Sequence, residues 1–160
     1  MWDPLYPYFY WIEWTWLGHA IRQSKWTFTL LEVFHLFGIT LFLGTVLLLA
    51  LRLFGFVLRE KGVAETTREL MPWSSAGLLL TVLTGLLLFT SEATKCWGNI
   101  AFHYKVLFFF LAVPFQFTAL RYVTRADRQG LPPAIRKATA LIAVLLWFGV
   151  AVYGRAIFFF

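Results

Sequence analysis

Apolar residues in this chain neither alternate nor recur in a single stripe. They come in four long blocks separated by short charged breaks. The first block runs from Trp26 to about Leu58, WTFTLLEVFHLFGITLFLGTVLLLALRLFGFVL, and its Val33–Leu51 portion is 19 residues without a full charge. That is about the length that crosses a bilayer's hydrocarbon. The second block, Trp73 to Ser91, has no charge at all, the third covers Ile100 to Tyr122, and the fourth runs from Ala138 to about Ile157. Only helices, or a closed barrel, can satisfy backbone polar groups inside lipid. The pattern therefore predicts an all-α integral membrane four-helix bundle over residues 26–160, with spans at about 26–58, 73–91, 100–122 and 138–157.

Local signals set the ends. Ser24 can cap the first span, and Arg59, Glu60, Lys61 and Gly62 end it near Leu58. The stretch REKGVAETTREL reads as a charged loop, with Pro72 in the first turn of the second helix. Ala76, Gly77, Thr81, Thr84 and Gly85 are small, which lets helices approach closely in lipid, and Gly149 and Gly154 offer similar packing points on the fourth helix. Pro114 should bend the third span. Residues 1–25 form an N-terminal interfacial aromatic segment. Trp11, Trp14, Leu17 and Ile21 would share one stripe of a helix from Trp11 to Gln23, lying at the headgroup level. An irregular aromatic tail packed on the bundle fits the same residues.

Composition agrees with a lipid-covered domain: 60% of residues are hydrophobic and 14% charged, against about 25% charged in soluble domains. Mean hydropathy is +0.71. The net charge of +6 does not point to nucleic acid, because the basic residues lie in loops between apolar blocks and build no separate domain. Nine Lys and Arg fall on one side of the bundle and five on the other. The richer side should be cytoplasmic, placing both termini outside or in the periplasm. The start, MWDPLYPYFY, lacks the basic region of a secretory signal, so none is expected. One cysteine, Cys96, excludes an intramolecular disulfide and cysteine-based metal clusters.

Candidate chemistry gathers near the outer mouth. Up-and-down folding brings Glu32 and Lys105 to similar depth, with His103 shallower and His35 deeper; Lys25, Glu92 and Arg155 ring the opening. Ionisable residues at membrane depth usually pair with one another or mark a pathway. Glu32 and Lys105 can thus form a structural ion pair, serve a proton path or anchor a charged ligand, or Lys105 can snorkel outward. His35 can hydrogen-bond a neighbouring helix or ligate a b-type haem, with His103 as second ligand and Lys105 or Arg155 meeting the propionates. A copper site on His35 and His103 is a further reading. His103 and Lys105 lie two apart, about 200° around a helix, so they cannot both point into the bundle. Glu32 and His35 have the spacing of a di-iron carboxylate motif, but the second pair that such a site needs is missing. Hydrolase, kinase and dinucleotide signatures are absent, and no catalytic set emerges.

Six segments carry a resemblance: AIRQSKW (20–26), LLEVFHLFGI (30–39), LRLFG (51–55), PWSSAG (72–77), TGLLLF (84–89) and AFHYK (101–105). In these the chain resembles an uncharacterised family of small bacterial four-helix inner-membrane proteins. Its pattern is also similar to copper-resistance protein D and cytochrome b561-like bundles. The resemblance implies four spans and a plasma-membrane location. It draws attention to Arg22, Glu32, His35, Gly38, Arg52 and Lys105, not to His19 or His103, and it carries no activity with it. The expected function is a redox-associated electron-transfer subunit, haem- or quinone-linked, with its site near the outer face. The alternatives are a non-catalytic accessory subunit of a larger membrane complex and a copper-handling protein. Expected partners are the lipid bilayer and other membrane subunits or further copies of the chain.

Overall fold

A computed structural model describes residues 4–127, 132–157 and 159. Its elements are α1 (Tyr6–Glu13), α2 (Trp16–Gln23), α3 (Lys25–Phe54), α4 (Val63–Ser91), α5 (Ala93–Trp97), α6 (Ile100–Asp127) and α7 (Pro133–Ala156). The described residues contain no strand. Four of these helices, α3, α4, α6 and α7, are long and apolar enough to cross a membrane.

Helix ends follow from particular residues. The Ser24 side chain accepts from Thr27 N at 3.2 Å, capping α3 as its position suggests. α3 stops earlier than the expected Leu58. Gly55 takes φ +85°, and its N–H and that of Phe56 donate to Arg52 O and Leu51 O, a left-handed glycine closure. Arg52 then bonds Lys61 O from Nε at 3.0 Å and again from its terminal nitrogen, fixing the 55–62 turn. α4 begins ten residues before Trp73. Val63, Thr66 and Thr67 are buried while Glu65, Arg68 and Glu69 are exposed, so the charged "loop" is an amphipathic turn of helix, and Pro72 lies inside α4. Pro114 likewise lies inside α6.

Two seams hold the bundle. α3 packs along α4 and α6 along α7; α3 also meets α7, and α4 meets α6 more sparsely. α3 and α6 therefore sit diagonally, without close backbone contact. The α3–α4 seam is backbone-tight. A Cβ added to Gly77 would lie 2.7 Å from Phe42 N, and one on Gly38 2.9 Å from Thr81 N. The small residues of α4 serve the close approach expected of them. Midway along, Phe42, Val46, Ala112 and Trp147 form one apolar layer, with Trp147 edge-on to Phe42 at 4.4 Å. A second layer, Ala50, Leu53, Val63, Val123 and Ala140, closes the end away from the termini. Large apolar side chains such as Phe34, Leu36, Phe37, Leu79, Leu86, Phe110 and Phe148 point outward. In water such a surface would be unstable, and lipid is its natural cover.

Candidate functional site

The N-terminal segment folds as a lid. In place of one helix from Trp11 to Gln23, the chain breaks at Trp14–Thr15, where Thr15 caps α2 through Gly18 N at 3.3 Å. The break separates the expected stripe: Ile21 is buried with Gly18, while Trp11, Trp14 and Leu17 are exposed. Gly18 meets the end of α4, where an added Cβ would lie 2.5 Å from Thr90 O. α1 packs on α5, with Phe9 stacked on Trp97 at 4.3 Å. Glu13 ties these parts together. Its carboxylate accepts from Arg22 of α2, from Thr94 N at 2.9 Å and from the Thr94 hydroxyl. Asn99 is the second tie: its Oδ1 accepts from buried Ala101 N at 2.9 Å, and its Nδ2 donates to Ile157 O at 3.0 Å, joining the start of α6 to the end of α7.

Beneath the lid lies His35. Its ring fits a notch on α4 made by Gly85, where an added Cβ would come within 2.9 Å of Cε1. Nδ1 is 3.0 Å from Thr84 Oγ1, and that hydroxyl donates to Leu80 O at 2.6 Å. With its proton spent on Leu80, the hydroxyl accepts from Nδ1–H, which leaves a lone pair on Nε2 of the neutral ring. The expectation that His35 bonds a neighbouring helix is met.

Lys105 extends along α7, its terminal atoms 3.5–3.7 Å from where a Gly154 Cβ would sit. Its ammonium has no hydrogen bond or ion pair among the described residues. Glu32 is half-buried on α3 and also lacks such a partner among the described residues. The expected Glu32–Lys105 ion pair is thus corrected: salt bridges join Glu13 to Arg22, Lys61 to Glu69 and Glu92 to Lys95. The reason is the diagonal placement of α3 and α6, with Lys105 turned to α7. Cys96 is half-buried on α5. Burial, aided by the Glu92 and Glu13 charges and opposed by Lys105 and Lys95, pushes its thiol up to about 11.

The remaining candidates lie elsewhere. His103 is exposed, its Nδ1 3.0 Å from Asn99 O just before α6 and its ring 4.9 Å from that of Trp97. His19 sits on α2, 3.1 Å from Gln23 and beside Trp14. The Arg155 guanidinium lies over Phe159 at 5.1 Å. A bis-histidine haem does not fit this arrangement. His35 is held in the α3–α4 seam, whereas His103 faces outward among aromatic rings on the diagonal helix. As their spacing of two residues requires, Lys105 is half-buried against α7 and His103 is exposed. Among the described residues, no three His, Cys, Asp or Glu cluster as a metal site would require. Sequence reasoning passed over Glu13 and Asn99. Asn99, directly before an apolar run, carried a helix-cap signal that could have found it.

A family model described as a family of unknown function (DUF6644) matches residues 8–160. No curated protein matches the chain, and neither does any solved structure. The likeness to copper-resistance protein D and cytochrome b561 bundles therefore gains no support. The chain belongs to this family of unknown function, and the model match takes in the lid, His35, Lys105 and all four long helices.

Proposed function

We propose that this member of a family of unknown function is a redox-associated membrane subunit of the quinone-linked kind, its site at His35 and Lys105. One observation carries the reading: Lys105, half-buried against α7 at Gly154, has no hydrogen-bond or ion-pair partner among the described residues, and it lies toward the same end of the bundle as His35, whose Nδ1 is committed to Thr84. An uncompensated cation at membrane depth is costly and calls for a ligand that accepts its hydrogen bonds. A quinone head group has carbonyl oxygens for the Lys105 donors, and its reduced form has hydroxyls that can donate to His35 Nε2. The isoprenoid tail would lie among the lipid-facing side chains. The Lys and Arg asymmetry supports placing this end of the bundle outside.

Quinone titration into the protein in lipid nanodiscs, read by quenching of tryptophan fluorescence, tests this. The wild type should bind saturably; Lys105→Met should bind at least about tenfold more weakly, the equivalent of one lost charge-assisted hydrogen bond, and His35→Ala about two- to tenfold more weakly, the equivalent of one neutral hydrogen bond. Equal affinity in all three, or no binding at all, would sink the proposal. A Soret band in the purified protein that disappears in His35→Ala would replace quinone by haem.

A further inference from the structure

A second polar region lies in the other half of the bundle, below the Phe42–Trp147 layer, and is independent of His35 and Lys105. The buried threonines reveal it. Thr45, Thr66 and Thr84 each turn the hydroxyl back onto a carbonyl of their own helix, Phe42 O, Gly62 O and Leu80 O respectively. This local bond is the inexpensive way to satisfy a threonine in a helix. Thr67, 6% exposed, does not make it, and its buried Oγ1 has no hydrogen-bond partner. Gln116, 8% exposed on α6, brings an amide to the same region. Both line one cavity between α3, α4 and α6, together with Thr45 and Ser74. A second cavity, between α3, α6 and α7, also opens onto Gln116.

These cavities follow from the topology. Diagonal α3 and α6 leave a gap along the bundle axis, and α4 and α6 meet only sparsely beside it. Each cavity has a volume of about 20 Å³. A buried water needs a polar site of about 10–15 Å³ or more and two to four hydrogen-bond partners. The space fits water and is too small for a haem or a quinone head, and Thr45, Thr67, Ser74, Ser75 and Gln116 are the polar groups of a mainly apolar lining.

We propose that this half of the bundle holds a built water site, in which one or two buried waters bridge the Thr67 hydroxyl and the Gln116 amide. The site is a polar inner compartment that ends at the Phe42, Val46, Ala112 and Trp147 layer. Within that layer the Trp147 indole N–H is itself buried without a hydrogen-bond partner.

Thermal unfolding in mild detergent of Thr67→Val, Gln116→Leu and the double variant tests the bridge. If a shared water satisfies both groups, each single variant should melt roughly 2–4 °C lower. The double variant should then lose clearly less than the sum, because the second substitution removes a bond already broken. A dry cavity predicts the opposite: Thr67→Val at or above the wild-type melting temperature, and additive effects. A structure of the unmodified protein at water-resolving resolution provides the check that needs no variant. Density within hydrogen-bond distance of Thr67 Oγ1 and Gln116 supports the site, and an empty gap overturns it.

Discussion

Removal of the Glu13 carboxylate should open the lid, and Cys96 is placed to report it. The Glu13 side chain is 13% exposed and Arg22 34%, so solvent screens their ion pair to roughly 0.5–1 kcal/mol. The two bonds from Thr94 meet a charged acceptor in a drier setting and contribute roughly 1.5–3 kcal/mol together. Lid docking should therefore lose roughly 2–4 kcal/mol in Glu13→Ala. With the lid docked, burial holds the Cys96 thiol at about 11, against an ordinary 9.0. Release toward the ordinary value raises the thiolate fraction about a hundredfold at pH 8. Lower basicity weakens the thiolate as a nucleophile, leaving a net gain of about tenfold in the rate of attack on a disulfide reagent. The assay is the reaction of Cys96 with 4,4′-dithiodipyridine from pH 7 to 11 in mild detergent. Glu13→Ala should react about tenfold faster, with its midpoint moved toward 9, and exposed Trp11→Ala should match the wild type. A Glu13→Ala rate within twofold of wild type, midpoint unchanged, would refute the latch.

Two further outcomes follow from the packing and from the thiol. Gly77→Ala should destabilise the bundle by about 1–3 kcal/mol, because the new methyl meets the Phe42 backbone, whereas Gly44→Ala, with nothing within 4 Å, should be neutral or gain up to about 1 kcal/mol. Reversible unfolding in mixed micelles distinguishes them, and equal effects would contradict the tight α3–α4 seam. The folded protein holds the Cys96 proton more tightly than the unfolded chain does, so Cys96 contributes stability that is complete below pH 9 and lost as pH rises toward 11. Melting temperature against pH should show this fall in the wild type and a shallower one in Cys96→Ser; superimposable curves would count against burial of the thiol.

Block hydrophobicity made the four long helices legible, because lipid demands uninterrupted apolar length. Their ends were less so. Gly55 stops α3 through a left-handed turn, and nothing around it marked it above the other glycines of that block. The charges of REKGVAETTREL concealed a helical turn whose buried face is only Val63, Thr66 and Thr67. At the candidate site, His35 and Lys105 stood out as ionisable residues at membrane depth, but neighbour relations did not. Up-and-down order alone does not say which helices are diagonal, and that placement is what separates Glu32 from Lys105. Glu13 and Thr94 are 81 residues apart, and a single carboxylate in an aromatic segment gives no sign of such a distant partner.

Lys105→Met, measured for both stability and quinone affinity in the same nanodisc preparation, tests the central claim most directly. An ammonium kept at depth for a ligand, and not for the fold, is a burden on the empty protein. The variant should melt at or above the wild-type temperature while binding quinone at least about tenfold more weakly. A variant that melts well below the wild type and binds quinone with unchanged affinity would make Lys105 a structural residue and contradict the account.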